Sequence, residues 1–307
     1  MKKKMFILII LLALFYILKY PGLTVSAAAN GLVLWFERVL PALLPFAILS
    51  NIIIASDILP ALTGKIVPFI RLFLPISDTG TFVLFSGFLF GFPMGSKNCA
   101  ELLRQNKINP YEAEVLFIIT NNISPVFIQS YILEQQLKLS GYFGISMLIL
   151  YLPPIILGKY LLHKAPPQIL NHKKTASRSK INFQIVDAGI MNGFETLTKI
   201  GGYIMIFSIL ASSFNQLALP ESLKICCIGF TELTNGIHAL SNSSLAIEYQ
   251  YIPAMIFTAF GGISGFAQTS AMIKDTCLSM RKYIFWKVVL CIITGILACI
   301  VVYLKLA

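Results

Sequence analysis

Charge is scarce in this chain. Of 307 residues only 12% are charged, and acids are the scarcer sign, 13 Asp and Glu against 24 Lys and Arg. An ordinary soluble domain carries about 25% charged residues. Histidine is limited to His163, His172 and His238, which are not spaced as metal ligands. The six cysteines (Cys99, Cys226, Cys227, Cys277, Cys291 and Cys299) form neither a CxxC pair nor a disulfide framework. They read as small buried apolar residues. No nucleophile–base–acid set is visible, so an enzyme is not expected and neither is a metal or organic cofactor. A soluble domain is missing too: the longest polar stretch, His163 to Asn182, is only a basic linker.

Apolar sequence fills the rest. Hydrophobic residues make up 57% of the chain and the mean hydropathy is +0.79, which fits a polytopic membrane protein. Its first partner is the lipid bilayer. The net charge of +11 then reports orientation and calls for no nucleic acid. After Lys2-Lys3-Lys4, residues 5–20 form an apolar run followed by "TVSAAAN", so residues 1–29 are either a span or a cleaved signal. Residues 30–39 read as a short amphipathic interfacial helix with Trp35 as its anchor. A span at 40–54, a basic amphipathic stretch at 62–75 and an interrupted stretch at 81–103 come next. Spans at 112–133 and 142–162 precede the linker, 163–182. A second amphipathic piece (189–200), a span (201–219), a second interrupted stretch (222–240) and spans at 252–273 and 284–304 complete the chain.

If neither interrupted stretch crosses fully, 19 Lys and Arg fall on the amino-terminal side and five on the other. That bias places the N-terminus in the cytoplasm of a multi-pass protein of the cell membrane. The interrupted stretches then read as re-entrant hairpins, whose tips need Gly and Pro to turn and polar groups to satisfy free backbone.

The two halves share an order. "NGLVLWFERVLPALLPFAIL" from Asn30 parallels "NGFETLTKIGGYIMIFSIL" from Asn192, and "GFLFGFPMG" from Gly87 parallels "GFTELTNG" from Gly229. "TNNISPVFIQS" from Thr120 parallels "FGGISGFAQTS" from Phe260. Three spans separate the hairpins, so one enters from each side. The expected fold is an all-α polytopic membrane protein of about seven spans, a single membrane domain over 1–307. It is an inverted repeat with two re-entrant hairpins and two broken transmembrane helices. The first repeat covers 25–162 with hairpin 81–103 and broken helix 112–133; the second covers 183–305 with hairpin 222–240 and broken helix 252–273.

Polar residues at these breaks are the candidate site. In the first hairpin Gly91, Pro93 and Gly95 shape the tip, with Ser96 and Asn98 beside it. The glycines also suit plain helix packing. "GFPMGSK" lacks the spacing of a nucleotide-phosphate loop. Pro125 interrupts a span and sets Ser124 apart from helical geometry, while Asn121 and Asn122 add amides where lipid offers no partner. They serve a ligand or glue helices together. Glu232 is an intramembrane carboxylate, a functional candidate by default unless it faces water at the hairpin mouth. Thr234 and Asn235 accompany it. Gly261, Gly262 and Gly265 break the facing span, with Ser264 and Gln268 on its polar side. Helix amino termini at such breaks suit an anionic substrate. Glu112 and Glu114 read as acids at a helix start in a solvent or interface position, and Glu37 and Glu195 as structural.

"GFPMGSKNCAELLRQNKINPYEAEVLFIITNNISP", with "GFTELTNGI" and "FGGISGFAQ", resembles the sporulation integral membrane proteins of spore-forming Firmicutes, which carry a nucleoside-recognition or gate domain. The resemblance covers residues 30–275, and its plan is similar to that of concentrative nucleoside transporters. It implies a secondary transporter of a small polar, anionic, dipicolinate-like metabolite, with sodium or proton coupling open and homo-oligomers allowed. The alternative is a membrane scaffold or receptor subunit of a sporulation complex that transports nothing.

Overall fold

The computed structural model describes residues 2–56, 58, 59, 63–164 and 182–306. Most of the expected linker, 163–182, lies outside the described residues. Helices make up the described chain, and no strand occurs among them.

In the first half, α1 (Lys2–Lys19) leads into α2 (Pro21–Leu34), a π-helical turn at Trp35–Val39, and α3 (Leu40–Ala55). Then come α4 (Val67–Phe73), α5 (Asp78–Phe90), α6 (Met94–Arg104) and α7 (Pro110–Thr120). The short α8 (Pro125–Phe127) runs on as a π-helix, Ile128–Gln136, and α9 is Phe143–His163. The second half holds α10 (Phe183–Ser213), α11 (Glu221–Thr231), α12 (Leu233–Ser241), α13 (Ile247–Phe260), α14 (Gly262–Met272) and α15 (Met280–Leu306). From α3 and from α10 onward the order is alike, a long helix, a pair of short helices, a helix broken in two and a long helix, except that the first half inserts α4 before its pair.

Local chemistry sets these boundaries. Ser77 caps α5 by accepting from the Gly80 amide at 2.9 Å, and Asn109 caps α7 from the Glu112 amide at 2.8 Å, with Pro110 in the first turn. Ser124 does the same for α8, ahead of Pro125. α5 stops at Gly91 (φ 77°) and α13 at Gly261 (φ 82°), both in backbone regions that favour glycine.

Among the described residues, five helices are long and apolar enough to cross a bilayer: Pro21–Ala55, Pro110–Gln136, Ser140–His163, Phe183–Gln216 and Met280–Leu304. The bent pair α4–α5, at 81°, raises the number to six. The sequence led us to expect about seven. The shortfall lies at Lys2–Lys19, which carries four lysines in 18 residues, and at 252–273, which Gly261 divides into pieces of 14 and 11 residues. A polytopic membrane protein remains the fold class. The amphipathic pieces at 30–39 and 189–200 are also corrected, since each is continuous with the span that follows it.

Packing relies on small residues, as expected where lipid removes the hydrophobic drive between helices. α10 lies along α2 and α3, with Gly189 and Gly193 against Ile52 and Ile48. Gly201 abuts the Trp35 ring, whose Nε1 donates to Leu197 O at 2.8 Å. Trp35 is therefore an internal contact and not an interfacial anchor. The larger clusters mix the halves: α8 and α9 pack with α12, α13 and α15, while Ile273, Leu278 and Tyr283 join α5, α6 and α7.

Candidate functional site: four helix breaks and a buried lysine

The breaks meet in pairs. In the first half, the Phe92 amide donates to Asn122 O at 2.6 Å. A Cβ on Gly91 would lie 2.5 Å from the Ser124 nitrogen, so the two interruptions are pressed together. Thr120 fills the space between Gly87 and Gly95. In the second half, a Cβ on Gly262 would approach Thr231 O at 3.2 Å and the Leu233 nitrogen at 3.3 Å, so its break backs onto the Glu232 break. The pairs join where the Phe92 ring packs on Gly265, whose Cβ would sit 3.2 Å from it.

Interrupting a helix frees backbone groups that lipid cannot satisfy, and side chains take up that role here. Asn122 Nδ2 donates to Ile119 O at 2.7 Å, the Tyr151 hydroxyl to Ile123 O at 2.5 Å, and Lys287 Nζ to Ala259 O at 3.3 Å. Between the breaks runs a crevice lined by Phe92, Asn121, Gly261, Phe266, Tyr283 and Lys287, closed too tightly for a water molecule. A neighbouring one, lined by Asn122, Tyr151, Thr258, Leu290 and Thr294, has room for about one water.

Lys287 is the residue that sequence reading missed. The charge count puts it among the 19 basic residues on the amino-terminal side, but it is 2% exposed, and Nζ also donates to Asn122 Oδ1 at 2.9 Å. It forms no ion pair among the described residues. The signal was available: Tyr283, Lys287, Cys291 and Thr294 recur at helical spacing and face inward, while Phe285, Val288, Ile292 and Ile296 face outward. A cation inside such a run is a functional candidate by default.

The structure places the expected residues in three groups. Asn121 and Asn122 line the two crevices, with Gly261 and Gly265 on the Asn121 side. Asn121 Nδ2 donates to Thr269 Oγ1 and Tyr283 Oη, each at 2.8 Å, and its buried Oδ1 has no partner. A second group sits at the α12 start, where Glu232 accepts from the Thr234 hydroxyl and from both the backbone and side-chain nitrogens of Asn235, the latter two at 2.9 Å. Asn235 also reaches Ser208 at 2.9 Å. Most of the rest bond close to home. Ser96 donates to Pro93 O and Gln268 to Ser264, Ser124 is the α8 cap, and Asn98 donates to Ser86 at 2.9 Å and to Ser50 of α3 at 3.5 Å, its buried Oδ1 also without a partner.

Glu112 departs from expectation. The expectation is a solvent or interface position, but it is fully buried, accepting from the Ser77 amide at 2.6 Å and Asn109 Nδ2 at 3.2 Å. It ties the start of α7 to the start of α5, where a carboxylate complements the helix dipole.

Against known proteins, the chain is similar to the sporulation integral membrane protein YlbJ of Bacillus subtilis (strain 168). Identity is 26% over a 310-residue alignment covering 87% of this chain and 74% of that protein. The likeness supports a sporulation membrane protein family. No family model matches, and no solved structure does.

Proposed function

We propose that this protein is a secondary transporter of a small polar, anionic, dipicolinate-like metabolite, with the N-terminus in the cytoplasm and the nucleoside-recognition type of gate domain. The two pairs of short helices, α5–α6 and α11–α12, act as re-entrant hairpins of an inverted repeat and enter from opposite faces. The single observation that carries this reading is the meeting of the breaks at Phe92, Asn121–Asn122 and Gly261 around a buried lysine that forms no ion pair among the described residues. Broken helices and polar groups deep in a bilayer are costly, and they persist where they line a pathway. The α14 amino terminus adds to the anion preference, since no side chain caps it. The crevice is closed to substrate from both sides. Loading it requires the hairpin carrying Phe92 to move off Gly265.

A scaffold role draws its support from Ser96, Ser124 and Glu232, whose bonds stay within or beside their own helices. Thermal unfolding of the detergent-purified protein separates the two. The panel holds dipicolinate, other small dicarboxylates and nucleosides, each with and without sodium. A ligand at 100 times its Kd stabilises by about 2.7 kcal/mol. A dicarboxylate shift supports the transporter, and its dependence on sodium or on pH names the coupling ion. A folded protein that ignores the whole panel is a scaffold.

A further inference from the structure

We infer that Lys287 and Asn121 together form a seat for one carboxylate of the transported anion, and that this seat sets the charge a substrate must carry. The inference rests on the transporter reading and assigns residues within it.

Each group has unused capacity at the same crevice. A lysine ammonium has three donors. Two of those on Lys287 go to Asn122 Oδ1 and Ala259 O, and the third meets no oxygen or nitrogen acceptor among the described residues, the Tyr283 ring lying 5.9 Å from the ammonium. Asn121 is 1% exposed, lines the crevice with Lys287, and leaves Oδ1 unpartnered. A buried polar atom without a partner is costly and calls for an explanation. Its two neighbours, the hydroxyls of Thr269 and Tyr283, donate or accept equally well. A half-turn of the amide therefore keeps both bonds, now to its oxygen, once the Tyr283 hydroxyl gives up its long 3.5 Å bond to Asn121 O, and puts the Nδ2 hydrogens where the unpartnered oxygen was.

The seat then presents one ammonium hydrogen and one amide hydrogen, a match for the two oxygens of a single carboxylate. Asn122 and Ala259 hold the ammonium from its other side. The uncapped α14 amino terminus at Gly261 opens on the same crevice. No carboxylate of the chain forms an ion pair with Lys287 among the described residues, so the counter-charge is left for the substrate to bring. A neutral ligand leaves the ammonium without an anion.

Calorimetric titration of the full-length protein in detergent tests this with three probes that differ in carboxylates: pyridine, picolinate and dipicolinate. Wild type gains affinity from pyridine to picolinate. Lys287→Gln keeps a donor toward Asn122 without the charge, and it loses roughly 10- to 100-fold for both acids. Pyridine binding stays as it was, and Lys287→Arg recovers most of the loss. Wild-type picolinate affinity in folded Lys287→Gln overturns the seat and leaves the transporter reading standing. Absence of any carboxylate binding by folded wild type overturns both. Should Lys287→Gln fail to fold, Asn121→Ala reports instead: a loss of about tenfold supports the seat. Unchanged picolinate affinity there overturns it.

Discussion

Asn122 serves two partners with one amide. Its nitrogen closes the end of α7 by donating to Ile119 O, and its oxygen receives Lys287. Replacing it strips the ammonium of its shorter bond and reopens the helix end. Asn122→Ala is expected to lower unfolding stability by about 2 kcal/mol, within the range for a hydrogen bond to a charged group. Thermal unfolding in detergent reads the change, and an unaltered midpoint contradicts the assignment. At this scale the sequence was legible where polarity interrupts an apolar run, as at Asn121 and Asn122. It was misleading at Lys287, because a lysine near a span end is usually a snorkelling, orienting charge. It was also misleading at Glu112, because acids at helix starts usually face water. Only the fold brings Ser77 and Asn109 to that carboxylate.

At the scale of elements, the breaks depend on close backbone approach. Gly91 combines a positive φ with a neighbour that leaves no space for a methyl group. Gly91→Ala is expected to cost about 1–3 kcal/mol through overpacking and to part the α5–α6 tip from segment 121–124. Protection of the Phe92 amide from hydrogen exchange measures that parting. Protection equal to wild type refutes it. The breaks at Gly91, Pro125 and Gly261 could be read in advance because Gly and Pro act locally. Helix continuity could not. Residues 30–39 carry a polar face, yet their turns run straight into α3 through the wider turn at Trp35–Val39, just before Pro41. Trp35, the expected anchor, is held instead by α10, 162 positions away in sequence, while Glu37 and Arg38 stay exposed.

For the whole molecule, contacts between the halves recur at both ends of the breaks. Arg104, closing α6, donates to Met272 O at 3.0 Å and Lys274 O at 2.7 Å, while Ser241, closing α12, donates to Gln136 at 2.8 Å. Each hairpin thus grips the far end of the other half's broken helix. In the proposed inverted repeat these grips lie on opposite faces of the membrane. That arrangement predicts that Ser244→Cys, in the exposed α12–α13 loop, reacts with an impermeant maleimide in intact cells. Cys277, in the exposed α14–α15 loop, should react only after permeabilisation, each tested as the sole cysteine. Labelling of both from one side rules the arrangement out.

The central claim is that an anion crosses through the breaks, and uptake of radiolabelled dipicolinate into sealed proteoliposomes measures it most directly. The account predicts saturable uptake by wild type, above that of protein-free vesicles, and its loss in reconstituted, folded Asn122→Ala. Uptake equal in the two proteins, or none by folded wild type for any small anion tried, contradicts it.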